Sequence, residues 1–372
     1  MHILILTDRD WGHPQAGGTG VHLTGQVEHW LRWGHRVTVI AGGYEGAPPF
    51  ERDGALTVYR FGDRVGVFPR TVARGVAGRV PDADVTLEVI NGITWLTPLW
   101  HRSPCVSLIH HVHRSMYVDE MGEHGRLAAW ALETFPISTI YRRRRFITVS
   151  EATREEIAEV HRIDPRRIEV VQNGIDADQF APGSEASEPT MVYLGRIKAY
   201  KRIERLLDVV EAIPGLRLDI AGAGDHLPAI EAEVERRGIG DRVSIYGHVD
   251  EALKVELLSR AWLAVTASSV EGWSLSTVEA AASGTPTVAY RVGGLKESVV
   301  DGETGILVDD EQEFVYAVRL LVEDPELRNR LGQAALARAR SQSWEVSARR
   351  TLEILAREAG ISPVSAGDNT GG

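Results

Sequence analysis

The segment from Trp262 to Gly294, WLAVTASSVEGWSLSTVEAAASGTPTVAYRVGG, decides how the chain is read. Its apolar run Leu263-Ala264-Val265 feeds a short polar loop. Ser276 and Glu279 then open a helix of small residues that stops at Gly284, and Pro286 to Tyr290 reads as a second strand. The unit is strand, loop, helix, strand. Glu271 and Glu279 bracket the expected helix start, one on the loop at the strand's carboxyl end and one in the first turns. The first N–H groups of a helix have no partner within it and attract phosphate, and carboxylates beside them accept hydrogen bonds from sugar hydroxyls. That combination suits a ligand carrying both phosphate and sugar. A plainer reading fits the same residues: Ser276-Thr277-Val278-Glu279 is also a capping box, with Glu279 reaching back to its own N-cap and Glu271 a solvated loop residue.

Working outward, 372 residues leave room for two or three domains with sizeable cores. A hydrophobic content of 43% and a charged content of 25% are those of an ordinary globular protein. The net charge of −11 argues against general affinity for nucleic acid or an anionic membrane, while leaving room for a local basic patch. No apolar run reaches the roughly 18 residues of a membrane span. The opening MHILILTDRD lacks a basic leader region and a cleavage site. The expectation is a cytoplasmic protein with at most peripheral contact at the inner membrane face. The single Cys105 allows no internal disulfide or multi-cysteine metal site, and its apolar surroundings predict a buried thiol rather than a nucleophile.

Residues 2 to 7 read as a strand, followed by the Gly-rich loop DRDWGHPQAGGTG, a helix ending at Gly34 and a strand at Arg36 to Ala41. The spacing G-x-G-x-x-G is absent and no acidic residue closes the second strand, which disfavours a nicotinamide dehydrogenase. Further strands are expected at Leu56 to Phe61, Val85 to Ile90, Cys105 to Ile109, Phe146 to Val149 and Ile168 to Val171. After the turn Asn173-Gly174-Ile175-Asp176 comes the polar stretch APGSEASEP, read as an interdomain linker. The pattern then restarts, with strands at Thr190 to Leu194, Leu216 to Ala221, Val243 to Tyr246, Leu263 to Ala267, Thr287 to Tyr290 and Ile306 to Val308. The fold class is therefore α/β, two similar halves with mostly parallel sheets, whose strands' carboxyl ends face a cleft. A helical region runs from Glu311 to about Arg357, and a tail at 360–372 reads as disordered. The expected divisions are 1–183, 184–343, a final helix at 344–359 and the tail.

Cations follow the first strand of the second half: Gly195-Arg196-Ile197-Lys198-Ala199-Tyr200-Lys201 sets Arg196 and Lys201 where a diphosphate would be neutralised. Alone they would be surface charges. Together with Glu271 and Glu279 they suit transfer from a nucleotide sugar, where negative charge gathers on the departing diphosphate. No carboxylate-rich metal box is evident, so no metal and no cofactor are expected. His110, His111 and His113 follow the strand CVSLI; H-x-H spacing can hold metal, yet contact with a sugar hydroxyl fits the strand-end position better. Arg142 to Arg145 is a solvated basic face, or a site for an anionic acceptor or lipid headgroup.

These residues resemble the GT-B retaining glycosyltransferases of glycosyltransferase family 4. EGWSLSTVE matches the family's E-x7-E motif, with EAAASGTPTVAYRVGGLKESVVDGETGILV as its continuation; GRIKAYK, NGID and AGGTGVHLTGQVEHWLRWGHRVTVI match its other segments. The resemblance covers about residues 1 to 355 and implies two Rossmann-like domains facing across a cleft. It implies further that Arg196 and Lys201 hold the donor diphosphate and that Glu271 contacts the donor sugar. The backbone of Gly272, Trp273, Ser274 and Leu275 would support sugar and phosphate, and Glu279 would hold the ribose. Gly17 and Gly18 would approach the phosphate or the acceptor. His110 matches the histidine that touches the donor sugar, with His111 one residue away as the alternative. The final helix would pack on the first domain. Ser274 stands where the family commonly has Gly; a side chain there either caps the helix or narrows the site.

The function so implied is transfer of a hexosyl unit, with retention, from a nucleotide diphosphate sugar to a glycan, lipid-linked or small-molecule acceptor. A nucleotide-sugar epimerase of the same fold and a non-catalytic nucleotide-sugar-binding subunit are the alternatives. Base, sugar, acceptor and oligomeric state are not legible.

Overall fold

In the computed structural model, which describes residues 1–362, the chain forms two compact units, Met1–Gly174 joined by the segment from Trp344, and Ile175–Ser343. The expected disordered tail lies, from residue 363, outside the described residues.

The first unit carries strands β1 (His2–Leu6), β2 (Arg36–Ala41), β3 (Phe50–Asp53), β4 (Leu56–Arg60), β5 (Val85–Val89), β6 (Cys105–Ile109), β7 (Arg145–Thr148) and β8 (Ile168–Val170). Their spatial order is β3-β4-β2-β1-β5-β6-β7-β8, parallel except where β3 pairs antiparallel with β4. Strands buried on both faces read as unbroken apolar runs. In β1, Ile3 and Ile5 join Leu23, Val27 and Trp30 on one face, whereas Leu4 and Leu6 join Val67, Phe68 and Trp95 on the other. The strand Phe50–Asp53 was not expected: it is exposed throughout and three of its four residues are charged, as suits a sheet edge that must not recruit another strand.

The second unit holds β9 (Thr190–Leu194), β10 (Arg217–Ala221), β11 (Val243–Gly247), β12 (Leu263–Thr266), β13 (Thr287–Tyr290) and β14 (Gly305–Val308), all parallel, in the order β11-β10-β9-β12-β13-β14. From β9 the chain winds outward to one edge, and from β12 to the other. The strand order therefore reverses between β9 and β12, and the loops leaving these two strands border the crevice where such sheets take ligands.

The region after Glu311 is three helices, Glu311–Glu323, Pro325–Arg340 and Trp344–Ala359. Asp324 caps the second through the amide of Leu327, and Pro325 suits its first turn. The third packs on the helix Gly17–Arg32, where Trp30 Nε1 donates to the carbonyl of Ala348 at 3.0 Å and Gln26 to Ser347 at 2.9 Å. A Cβ on Gly25 would sit 2.3 Å from the Trp344 ring, so glycine is what lets the two helices meet.

The stretch 181–189 is not a free linker. Phe180 is buried with Lys254 Nζ 5.5 Å from its ring centre, Glu185 binds Arg328 at 2.9 Å, and Trp262 donates to the carbonyl of Ala186 at 2.8 Å. These contacts tie it to the second unit, whose first residue is Ile175 rather than residue 184.

Candidate active site

The loops after β9 and β12 are stitched together by their own hydrogen bonds. Tyr200 O accepts from the Ser269 amide at 2.9 Å and from the Ser269 hydroxyl at 3.1 Å. Arg202 donates to the carbonyl of Ala267 at 2.8 Å. Across this seam Lys201 Nζ lies 2.5 Å from Glu271 Oε2, their side chains only 13% and 16% exposed. Two residues read as holding different parts of one ligand are thus each other's partners. Arg196 is exposed, its guanidinium donating to the Tyr200 hydroxyl at 2.9 Å.

The loop carrying Glu271 and Gly272 rests on backbone. The Gly294 amide donates to the carbonyl of Glu271 at 2.7 Å, and a Cβ on Gly294 would lie 1.9 Å from the carbonyl oxygen of Gly272. Gly293, at φ 46°, makes the turn that brings this about. Trp273, in the same loop, is buried. On the other side, a Cβ on Gly222 would meet the Gly195 carbonyl oxygen at 1.8 Å and one on Gly224 the Ile197 carbonyl oxygen at 1.9 Å. The sequence reading missed this second glycine pair. Its signal, AGAG directly after an apolar run, was available.

The helix runs from Leu275 to Ala282, so Ser276 is inside its first turn and the capping box does not form. The N-cap position belongs to Ser274, which makes no side-chain cap hydrogen bond. Its φ of 80° lies in the left-handed region that favours glycine. Left uncapped by Ser274, the first-turn amides of a helix attract an anion. Glu279 does not turn back to the backbone: its Oε1 lies 2.9 Å from Lys254 Nζ, which also binds Glu251 at 2.6 Å. Burial pushes the Glu279 carboxyl above the ordinary range and the Lys254 ammonium pulls it part of the way back. Lys254 has no motif around it, and only a buried carboxylate in need of a counter-charge signals its role.

In the first unit, Gly17 and Gly18 are not in a loop: both are exposed and form the first turn of the helix Gly17–Arg32. His110 stands just past β6, its ring edge-on to His22 of that helix with centroids 5.0 Å apart. His110 itself is partly exposed, yet both of its ring nitrogens are buried without a hydrogen-bond partner. Burial, with the charges of His22, Arg9 and His113 adding to it, pushes its pKa well down, so the imidazole is neutral near pH 7. His111 stacks on His113 at 4.2 Å, and the His113 amide donates to Glu133 at 3.2 Å. The two neighbouring histidines therefore have different surroundings. Among the described residues no three His, Cys, Asp or Glu side chains gather as a metal site. Cys105 is buried, its thiol pushed up by burial beside Glu88.

Two parallel-sheet α/β units of this kind define the GT-B class of glycosyltransferases. Within it the chain belongs to glycosyltransferase family 4: the pattern described as Glycosyltransferase Family 4 matches residues 16–179, and that described as Glycosyl transferases group 1 matches 174–338. It is similar to the D-inositol 3-phosphate glycosyltransferase of Segniliparus rotundus, 31% identical over 224 residues, 55% of this chain and 50% of that protein. Across curated relatives at 31 to 36% identity the match spans about half of their length or less. Among solved structures, sucrose-phosphate synthase from Thermosynechococcus elongatus superposes with a TM-score of 0.84 at 21% identity, over 96% of this chain and 98% of that one. Anabaena Alr3699/HepE in complex with UDP-glucose superposes at 0.76 and 18% identity, over 96% and 100%. At such identities the likeness is one of fold.

Proposed function

We propose that the protein transfers a hexosyl unit from a nucleotide diphosphate sugar to a hydroxyl acceptor with retention of anomeric configuration. The observation that carries the reading is the Lys201–Glu271 pair, 2.5 Å long, beside a helix start that Ser274 leaves uncapped. In this reading Arg196, Lys201 and the first-turn amides take the diphosphate, Glu271 takes sugar hydroxyls, and Glu279 takes the ribose. His110, neutral and with both ring nitrogens unpartnered, hydrogen-bonds the donor sugar. The bond from the anomeric carbon to the phosphate oxygen breaks while the acceptor oxygen bonds to the same face of that carbon, and the departing phosphate takes the acceptor's proton. With both glutamates assigned to hydroxyls, no carboxylate serves as nucleophile, unlike the paired carboxylates of glycosidases. The cations supply the charge stabilisation that a metal would otherwise bring, so chelator is expected to leave activity unchanged.

UDP-glucose is the first donor to test, since Anabaena Alr3699/HepE, a protein of the same fold, forms a complex with it. Thermal shifts with UDP, GDP and ADP, then with their sugars, select the base; transfer to a panel of glycans, lipid-linked sugars and small hydroxyl compounds follows, with the product's anomeric configuration read by NMR. Stabilisation by a nucleotide sugar without transfer or slow hydrolysis would make the chain a binding subunit. A changed sugar formed without acceptor would make it an epimerase.

A further inference from the structure

Apart from the sites above, several exposed apolar side chains of the first unit fall on one helical stretch, while Val65, Val76 and Leu99 stand exposed elsewhere. Leu127 is 67% exposed, Trp130 51% and Phe135 47%. The helix Glu123–Ala129 continues into a π-helical turn, Trp130–Thr134, and then into Phe135–Thr139. A π turn holds more residues than an α turn, so positions five apart return to one face. Trp130 and Phe135 accordingly lie with ring centroids 5.1 Å apart, and Leu127 precedes Trp130 by one turn. The stretch leads directly into Arg142-Arg143-Arg144, which line a surface groove of about 520 Å³ with Thr139 and Ile140. Thr139 is linked to the apolar strip through its hydroxyl, which donates to the carbonyl of Phe135 at 2.6 Å.

Charge decides what such a surface meets. The chain carries 52 acidic against 41 basic residues, so three consecutive arginines stand against a net negative background. None of the three guanidinium groups at 142–144 has a carboxylate partner within 4.0 Å among the described residues, whereas Arg145 next to them pairs with Glu358 at 3.3 Å. Unpaired arginines beside half-exposed aromatic and aliphatic side chains match an anionic lipid surface, where the cations meet headgroups and Trp130 and Phe135 enter the boundary with the acyl chains. A nucleic acid would match the arginines but not Leu127. We infer that the stretch from Leu127 to Arg144 is a docking surface for an anionic membrane, which the protein meets from one side: no helix among the described residues is long and apolar enough to cross one.

The test uses the full chain, without donor or acceptor, sedimented with vesicles of phosphatidylcholine alone or mixed with phosphatidylglycerol. Binding to the mixed vesicles only, weakened by salt, is expected. Each of Arg142→Gln, Arg143→Gln and Arg144→Gln should lower partitioning about fivefold, the effect of one cation near such a surface. Trp130→Ser with Phe135→Ser should lower it further, while Arg142→Lys with Arg143→Lys retains it. All these side chains are at least partly exposed, so thermal unfolding midpoints should match the parent's. Absence of binding, equal binding to both vesicles, or binding unaffected by the glutamine and serine variants would overturn the inference. So would a concentration-dependent dimer that Trp130→Ser disperses without any vesicle binding, because the strip would then be a contact between copies of this chain.

Discussion

Lys254 Nζ lies 2.9 Å from Glu279 Oε1, with the two side chains 14% and 16% exposed. Removing one member of a buried pair leaves the other charge unmatched, so Lys254→Met should cost about 3 kcal/mol. Burial already raises the Glu279 pKa, and without Lys254 it rises further. A carboxyl whose folded pKa exceeds its unfolded value binds more protons when folded; its contribution is full below the unfolded pKa and is lost as pH rises through the folded one. The deficit of Lys254→Met should therefore shrink at pH 5 relative to pH 8, and Lys254→Met/Glu279→Gln should recover much of it at both. Urea unfolding at the two pH values checks this; a deficit that grows on acidification contradicts it.

The Lys201–Glu271 pair separates stability from chemistry. Lys201→Ala and Glu271→Ala should each lower transfer by about 10²-fold or more, the scale of losing one preorganised electrostatic contact in a transition state. Each leaves a partner 13 to 16% exposed and should cost about 1–3 kcal/mol. In the double variant the stability losses should be less than additive while activity stays lost. Unaltered turnover in both single variants would remove these residues from the site.

Ser274 occupies the left-handed region at φ 80° without a cap hydrogen bond in return. Ser274→Gly should leave stability unchanged or raise it by up to about 1 kcal/mol, and Ser274→Val should lower it by about 1–3 kcal/mol, because a β-branched residue tolerates that backbone least. Calorimetric melting of the two variants decides. A Ser274→Gly variant less stable than the parent would mean that the contact of the Ser274 hydroxyl with that of Ser276, at 3.2 Å, outweighs the backbone strain.

His22 is fully buried with Nδ1 2.6 Å from Asn173 Oδ1, and burial lowers its pKa to about 4 from an ordinary 6.5. In that window the unfolded chain binds the proton and the folded one does not, so stability is present above pH 6.5 and lost as pH falls towards 4. The loss is at most about 3 kcal/mol. His22→Gln should flatten the decline without abolishing it, since the His110 pKa is lowered in the same sense. Unfolding midpoints between pH 7.5 and 4.5 measure the slope, and equal slopes in variant and parent would exclude His22 as the cause.

Most of the strands were legible because parallel strands buried on both faces leave apolar runs no longer than a strand, separated by helical periodicity; their order in the sheets was not. Phe50–Asp53 was not, since an exposed edge strand has no apolar run to show. The stretch 181–189 looked like a linker because its side chains are polar; what holds it to the second unit are partners as distant as Arg328.

The sequence by itself determined the two α/β halves and the strand, loop, helix unit from Trp262 to Gly294, because periodicity and turn residues act over a few positions. It left two readings of Glu279. Only the tertiary structure removed the capping reading, by starting the helix at Leu275 and setting Lys254, 25 residues earlier, against the carboxylate. It likewise paired Lys201 with Glu271, 70 residues apart, through a reversal of strand order between β9 and β12. Such pairings depend on which strands lie side by side, a property of the folded sheet that no local stretch carries.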